Sequence, residues 1–302
     1  MVAGLRQTIR LLPLLAALAA LLLPAPRALA GEATEARELR IDFIAVGQGD
    51  AALITSPTGK TVLIDGGPPE GAAALVAYLK SRAVGPLDLV ILTHRHADHL
   101  GGLAAVVSDI GARMFMDAPF PHPTALYATL MKTLAARQVP VRQAVRGRVI
   151  DLGGQASLRL LTPPDPELRG TRSDVNSNSV VVRLDYRQAS VLFAADAEPA
   201  TERWLVSAGV PLRAKVLKVA HHGSRHSSTA AFLRAVAPEI AVISAGAPNR
   251  YGHPEAEAID RLQSIGARVL RTDQQGTISL RTDGIQIEIT TAASPVAITL
   301  PR

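Results

Sequence analysis

The sequence predicts an α/β fold, an αββα sandwich of two mixed β-sheets with helices on the outer faces, built as one domain. Three observations predict it. Short β-type runs and helix-spaced apolar segments interleave along the whole chain after residue 30. No Gly/Ser-rich linker and no internal repeat divides them. The polar residues with chemical potential gather where strands end, which is where open α/β sheets place their sites.

Residues 1–30 read as a targeting segment. Arg6 and Arg10 supply a positive start, and an apolar stretch, Leu11 to Leu23, is interrupted only by Pro13. Pro24 and Pro26 follow, and then Ala28-Leu29-Ala30 before Gly31. That is the layout of a secretory signal peptide cleaved after Ala30, so the expected location is periplasmic or secreted, with no stable membrane insertion after processing. An uncleaved anchor is the alternative, although the apolar run falls short of the roughly 20 residues a spanning helix needs. The remainder, 31–302, is expected to form one domain.

It opens on strand signals at Leu39–Val46, Ala51–Thr55 and Thr61–Ile64, an antiparallel meander ending at Asp65-Gly66-Gly67. A helix is expected over Gly71–Arg82, and an apolar strand, Leu87–Thr93, runs into a polar loop, His94–His99. Leu100–Asp109 is apolar at helical spacing. In the second half, strands Ser157–Leu161 and Val180–Asp185 flank a Pro-rich loop from Thr162 to Asn178. Ser190–Ala195 ends at Asp196, a helix is expected over Glu198–Ala208, and strand Lys215–Ala220 ends at His221-His222-Gly223. Ile240–Ser244, helix Glu255–Ile265 and strands Thr277–Arg281 and Ile285–Thr290 complete the chain.

The formal charge is +6, from 32 basic and 26 acidic residues, with no long Lys/Arg run of the kind that marks a nucleic-acid tail. There is no cysteine. Any metal is therefore held by imidazole and carboxylate, and an exported form relies on its core without disulfides.

The decisive segment is Thr93-His94-Arg95-His96-Ala97-Asp98-His99-Leu100-Gly101-Gly102. Alternate residues His94 and His96 on a tight loop can grip one ion, leaving Asp98 and His99 for a second. Such ligands suit zinc, manganese or iron(II). Scattered surface histidines are the bland explanation, and the census opposes it. Seven of the eight His fall at 94–99, 221–226 and 253, with His122 alone outside.

His-x-His-x-Asp-His after a strand resembles the signature of the metallo-β-lactamase superfamily. The chain is similar, along almost its whole length after residue 30, to the hydrolase domain of ComEC-type DNA-uptake proteins. The pieces that carry the likeness are Val46-Gly47-Gln48-Gly49-Asp50, Leu63-Ile64-Asp65-Gly66-Gly67, Asp174-Val175-Asn176-Ser177-Asn178-Ser179 and Ala194-Ala195-Asp196. Lys218-Val219-Ala220-His221-His222-Gly223-Ser224, Asn249-Arg250-Tyr251-Gly252-His253-Pro254 and Arg271-Thr272-Asp273 with Gly276 complete them. The resemblance implies that His94 and His96 bind a first metal, Asp98, His99 and His222 a second, and that Asp196 bridges both, the ions being two divalent cations, Zn²⁺ or Mn²⁺. Asp65 resembles the buried acid that orients the ligand loop. His221 would face substrate or the other ion, the order of the two histidines being open.

Many superfamily members bring a third His to the first metal. The only His between the signature and Asp196 is His122, in a Pro-flanked loop that reads as exposed. Asn176 or Asn178, with Ser179, is expected to line the site instead, leaving the first metal with few ligands. Asp50 is read equally as a site residue or a turn residue, and so is Asp273. His253 either caps the following helix or touches the site, and Ser224 is placed near substrate. Lys218 and His226 are read as packing and surface residues.

The expected activity is phosphodiester hydrolysis, on DNA (single-stranded DNA among the candidates) or another phosphodiester. A hydroxide generated at the metal pair and oriented by Asp98 attacks phosphorus, while His221 or His253 serves the phosphate or leaving oxygen. The alternatives are a β-lactam, lactone or thioester hydrolase on the same scaffold, or a non-catalytic DNA-binding relative. A freestanding chain without the polytopic membrane region of DNA-uptake proteins is expected not to be a DNA channel itself.

Overall fold

The computed structural model describes residues 1–2, 38–294 and 298–300. The expected targeting segment, beyond Met1 and Val2, lies outside the described residues. Ala36–Arg302 form one compact unit. No helix among the described residues is long and apolar enough to cross a membrane.

The strands, in chain order, are β1 (Leu39–Phe43), β2 (Ala52–Thr55), β3 (Thr61–Ile64), β4 (Leu89–Ile91), β5 (Phe115–Asp117), β6 (Val141–Gln143), β7 (Val149–Gly153) and β8 (Ala156–Leu160). β9 (Val182–Tyr186), β10 (Ala189–Phe193), β11 (Val216–Lys218), β12 (Ile240–Ile243), β13 (Arg268–Arg271), β14 (Ile278–Thr282), β15 (Ile287–Thr291) and β16 (Ile298–Leu300) follow. They form two mixed sheets, ordered β16-β15-β14-β1-β2-β3-β4-β5-β6 and β13-β12-β11-β10-β9-β8-β7. The opening meander is antiparallel, whereas β3 through β6 and β10 through β13 run parallel.

Alternation along each strand assigns the layers. In β2 and β3, Ile54, Val62 and Ile64 join a core shared with Leu184, Val191, Phe193, Val216 and Val242 of the other sheet, so those side chains face between the sheets. Leu53, Leu63 and Val90 point the other way, into a second core with helices α1 (Ala72–Ser81), α3 (Leu103–Asp109) and α4 (Ala125–Ala136); the short helix α2 (Ala97–Leu100) lies between α1 and α3 in sequence. On the second sheet Leu192, Leu217, Ala241 and Ile243 pack under the later helices. Both faces of the central strands are buried, which is why those strands read as unbroken apolar runs. The αββα sandwich is the observed architecture.

Several boundaries differ from those expected. The loop His94–His99 is half helical, since α2 is wound by Leu100 N–H donating to His96 O and Gly101 N–H to Ala97 O. The expected irregular loop 162–178 ends in a helical turn, α5 (Asp174–Ser177), capped by the Ser173 hydroxyl. The remaining helices are α6 (Pro199–Ser207), α7 (Ala230–Val236), α8 (Ala256–Ser264) and α9 (Thr272–Gln275).

Candidate metal centre

Each ligand-type side chain follows the C-terminal end of a parallel-paired strand. Asp65 follows β3, the His94–His99 segment follows β4, Asp196 follows β10 and the His221-His222 pair follows β11. The backbone at these exits is strained. Asp65, Ala195, His221 and His222 all have left-handed φ, at 60°, 49°, 50° and 52°, a conformation costing roughly 1–2 kcal/mol per residue. Strain collected around one spot marks a functional site. Consecutive left-handed residues let both His221 and His222 line one pocket. Gly102 permits the loop to close up, because a Cβ there would collide with the Gly66 carbonyl oxygen.

Three overlapping groups of donors result, the atoms of each lying within 4.8 Å of one another. They are His94, His96 and Asp196, then Asp98, His99 and His222, and a third, Asp50, His99 and Asp196, that shares a residue with each of the others. Asp196 stands between the first two. Its Oδ2 is 3.6 Å from His94 Nε2, and its Oδ1 is 3.3 Å from His99 Nε2 and 3.7 Å from His222 Nε2. Asp98 Oδ2 lies 3.3 Å from His222 Nε2. Behind His99, Asp65 accepts hydrogen bonds from Nδ1 (2.8 Å), from Thr93 N–H (2.8 Å) and from the Thr93 hydroxyl (2.7 Å). Nε2 is thereby aimed at the carboxylates. His222 is held the same way, with Nδ1 3.0 Å from Ser244 O and 3.2 Å from Asp50 Oδ1.

The donor set fits metal ions. Asp196 Oδ1, His99 Nε2 and His222 Nε2 are buried and have no hydrogen-bond partner among the described residues. Buried polar atoms ordinarily find partners. Here three of them converge instead, with ligand chemistry and with oriented imidazoles behind them. Electrostatics agree. Burial opposes charge on His99, but the Asp196 and Asp65 carboxylates outweigh it and hold the ring protonated well above its usual range. Burial likewise opposes charge on His222, and Asp196 and Asp50 nonetheless raise it to about 10. Asp196 itself resists burial and stays ionised well below the usual carboxylate range beside His99 and His221. Bare carboxylates thus recruit protons as counter-charge, a role that divalent cations fill better. His94 is neutral because burial and the neighbouring His99 depress it.

The other expected residues divide. His221, with Nε2 3.8 Å from Asp196 Oδ2, is partly exposed at the pocket, and His253 lies beside it at a ring separation of 5.6 Å. Burial, reinforced by His221 and His222, lowers His253 to about 4. Asn176 lines the pocket with a buried, unpartnered Oδ1. Asn178 does not line it. Its amide is used up on Leu168 N–H, Leu168 O and Asp174 O, so it braces the loop instead. Ser179 is buried with its carbonyl accepting from Thr162, outside the pocket lining. Ser224 lines a neighbouring depression. Asp50 belongs to the site through His222. Asp273 is a local partner of Arg271 and takes no part in the pocket. The flanking Pro121 and Pro123 are exposed as expected, but His122 itself is half-buried and its ring packs edge-on to His96 at 5.3 Å.

Two residues of the site escaped the sequence reading. Lys218 is buried, as a packing role implies, but it also pairs with the site, with Nζ 2.7 Å from Asp50 Oδ2 and 3.0 Å from Val219 O. Arg95 bridges the ligand loop to β5 through Asp117 (2.7 Å) and stacks over Tyr127 at 4.0 Å. The groups open into a cavity of about 740 Å³ rimmed by Glu70, Pro248, Arg250 and Tyr251.

The sequence profile of the metallo-β-lactamase superfamily matches residues 44–247. The chain is 30% identical over 266 residues to ComE operon protein 3 of Bacillus subtilis, covering 81% of this chain and 33% of that protein. It is also 30% identical over 249 residues to competence protein ComA of Neisseria gonorrhoeae, covering 82% and 33%. It therefore spans about a third of the length of these relatives. Igni18, a metallo hydrolase from Ignicoccus hospitalis, shares the fold at a TM-score of 0.53 and 18% identity, over 80% of this chain and 98% of that one. With this profile, these relatives and the paired donor groups at the strand ends, the chain belongs to the metallo-β-lactamase superfamily, as a metal-dependent hydrolase related to competence proteins.

Proposed function

We propose that the protein is an exported phosphodiesterase that cleaves DNA or a related phosphodiester with two divalent ions, Zn²⁺ or Mn²⁺. The observation that carries this reading is the Asp196 carboxylate set between two donor groups in a cavity whose lining includes Arg250. His94, His96 and Asp196 would hold one ion, and Asp98, His99, His222 and Asp196 the other. Such a pair lowers the pKa of water and offsets the negative charge that gathers on phosphoryl oxygens. The protein's own groups do the rest. Asp65 and Ser244 O fix the His99 and His222 rings, and Asp98 faces the cavity where it can accept a proton from water. His221 and His253 both line the cavity, where His253 can steady phosphate oxygens and His221 can do the same or protonate the leaving oxygen. The relatives named for competence support DNA as the substrate, and export rests on the leader-like residues 1–30.

The test uses the purified chain, stripped of metal and reloaded with Mn²⁺ or Zn²⁺. It is offered a single-stranded oligonucleotide and bis(p-nitrophenyl) phosphate, with nitrocefin and a lactone in parallel. Metal-dependent cleavage of the phosphodiesters, lost in Asp196→Ala, is expected. Cleavage that survives both chelation and Asp196→Ala defeats the proposal, and so does turnover confined to nitrocefin or the lactone.

A further inference from the structure

A second depression, of about 360 Å³, adjoins the metal cavity and shares His221, Tyr251 and His253 with it. Those three side chains form a ridge between the two. On the far side lie Arg172, Arg225, His226 and Ser224, with Glu255 as the sole carboxylate among the lining residues. Glu255 is already engaged. Its Oε1 lies 3.3 Å from Arg225 Nη1 and its Oε2 accepts from the Arg225 backbone N–H, so Glu255 offsets Arg225 and the Arg172 guanidinium is left without a carboxylate partner among the described residues. Arg172 is exposed and has no ion-pair or hydrogen-bond partner among the described residues. On the near side Arg250 lines the metal cavity and donates to the Tyr251 hydroxyl at 2.7 Å. Tyr251 crowns the ridge and is 49% exposed, one of few large side chains with apolar surface left open to solvent.

A single phosphodiester held over Asp196 would leave this far basin unused. A chain with successive phosphates would not, because crossing the ridge carries the next phosphate toward Arg172 and Arg225. Guanidinium groups suit phosphate oxygens through their forked donors. Tyr251, which carries Arg250 at 4.9 Å and stacks on His253 at 6.0 Å, extends an aromatic ledge on which an unpaired base can lie. We propose that the Arg172–Arg225 basin is a second phosphate subsite, so that the protein takes single-stranded oligonucleotides of at least two phosphodiesters in preference to one-phosphate substrates. This rests on the phosphodiesterase reading for which phosphate is cleaved, but the basin can be tested by binding alone.

The experiment measures anisotropy of fluorescein-labelled dT12 with the full chain in EDTA, and again with Mn²⁺, across a salt series. Unlabelled dT2, which has one phosphodiester, is measured by competition. Arg172→Ala and the double variant R172A/R225A are compared with wild type. Arg172 is exposed and unpartnered, so its single substitution leaves the fold intact. The double variant should weaken dT12 binding roughly tenfold and flatten the dependence of log K on log salt by about 0.7, the value for one single-strand phosphate contact. Affinity for dT2 and hydrolysis of bis(p-nitrophenyl) phosphate should not change. Unchanged dT12 affinity and slope, equal losses for dT2 and dT12, or no dT12 binding by wild type would each overturn the subsite. If dT12 binds as expected but neither phosphodiester is hydrolysed, the subsite stands and the phosphodiesterase reading falls.

Discussion

Asp65→Asn isolates the part that ring orientation plays at the metal centre. The Asp65 carboxylate is 1% exposed and accepts three hydrogen bonds, two from Thr93 and one from His99 Nδ1. Asparagine is nearly isosteric and tolerates the left-handed backbone at this position. It can keep the bond from Thr93 N–H, but its amide NH₂ must then face His99 Nδ1. That nitrogen can accept only if the ring proton moves to Nε2, the atom aimed at Asp196 and left without a partner. Replacing charge-assisted bonds by neutral ones costs about 1–2 kcal/mol, a loss of about 2–8 °C in Tm for a chain of this size. The effect on metal is larger in proportion. A proton on Nε2 blocks the lone pair, and loss of an orienting partner lowers metal affinity about 10–100-fold. Competition titration with a zinc indicator, alongside thermal melts in EDTA, separates the two. Wild-type zinc affinity in a folded Asp65→Asn protein would refute the assignment of Asp65 as the group that orients His99.

Adding zinc or manganese to metal-free protein at about 100 times Kd should raise stability by about 2.7 kcal/mol, read as a rise in Tm that Asp196→Ala abolishes. Lys218→Met leaves the Asp50 carboxylate buried without its 2.7 Å partner. It should cost about 3–5 kcal/mol by urea titration, with part restored in the K218M/D50N double variant. Asn178→Ala removes three partly buried bonds and should destabilise the fold by about 2–4 kcal/mol with metal affinity unchanged. Asn176→Ala, whose side-chain oxygen faces the pocket, should instead reduce turnover with little loss of stability. Burial raises the Glu202 carboxyl above its ordinary 4.5, although Thr229 and Ser228 N–H groups pull it down. An acid with a raised folded-state pKa contributes most below its unfolded value and loses that contribution as pH rises through the folded one. The stability of wild type relative to Glu202→Gln should therefore fall as pH rises above about 4.5; a difference that grows with pH would contradict it.

The sandwich was legible because its central strands are buried on both faces. Runs such as Val62-Leu63-Ile64 and Ile240-Ala241-Val242 announce themselves without alternation. β5 and β6 have three residues each, too few to establish any period. α4 buries only Leu130 and Leu134 fully, a thin stripe that reads as surface. Strand order was hidden for another reason. β1 pairs with β14, Leu39 opposite Thr282, and nothing near either residue encodes a partner so distant in sequence.

At the site, local spacing held more information than the sequence reading used. Ligand types packed as His-x-His-x-Asp-His stand out on their own, but Arg95 was overlooked between them. Alternation turns it away from the side shared by His94 and His96, and there it meets Asp117 and Tyr127 and ties the loop to β5. Lys218 could have been recognised by its company. A lysine inside Val216-Leu217-Lys218-Val219-Ala220 cannot reach solvent and must meet a buried acid, which is Asp50. Asn176 and Asn178 were left undivided because their neighbourhood was read as a loop. Once Asp174–Ser177 forms a helical turn, residues two apart point to roughly opposite sides, so only one of the pair can face the metal groups. The other is left to hold the chain that carries it.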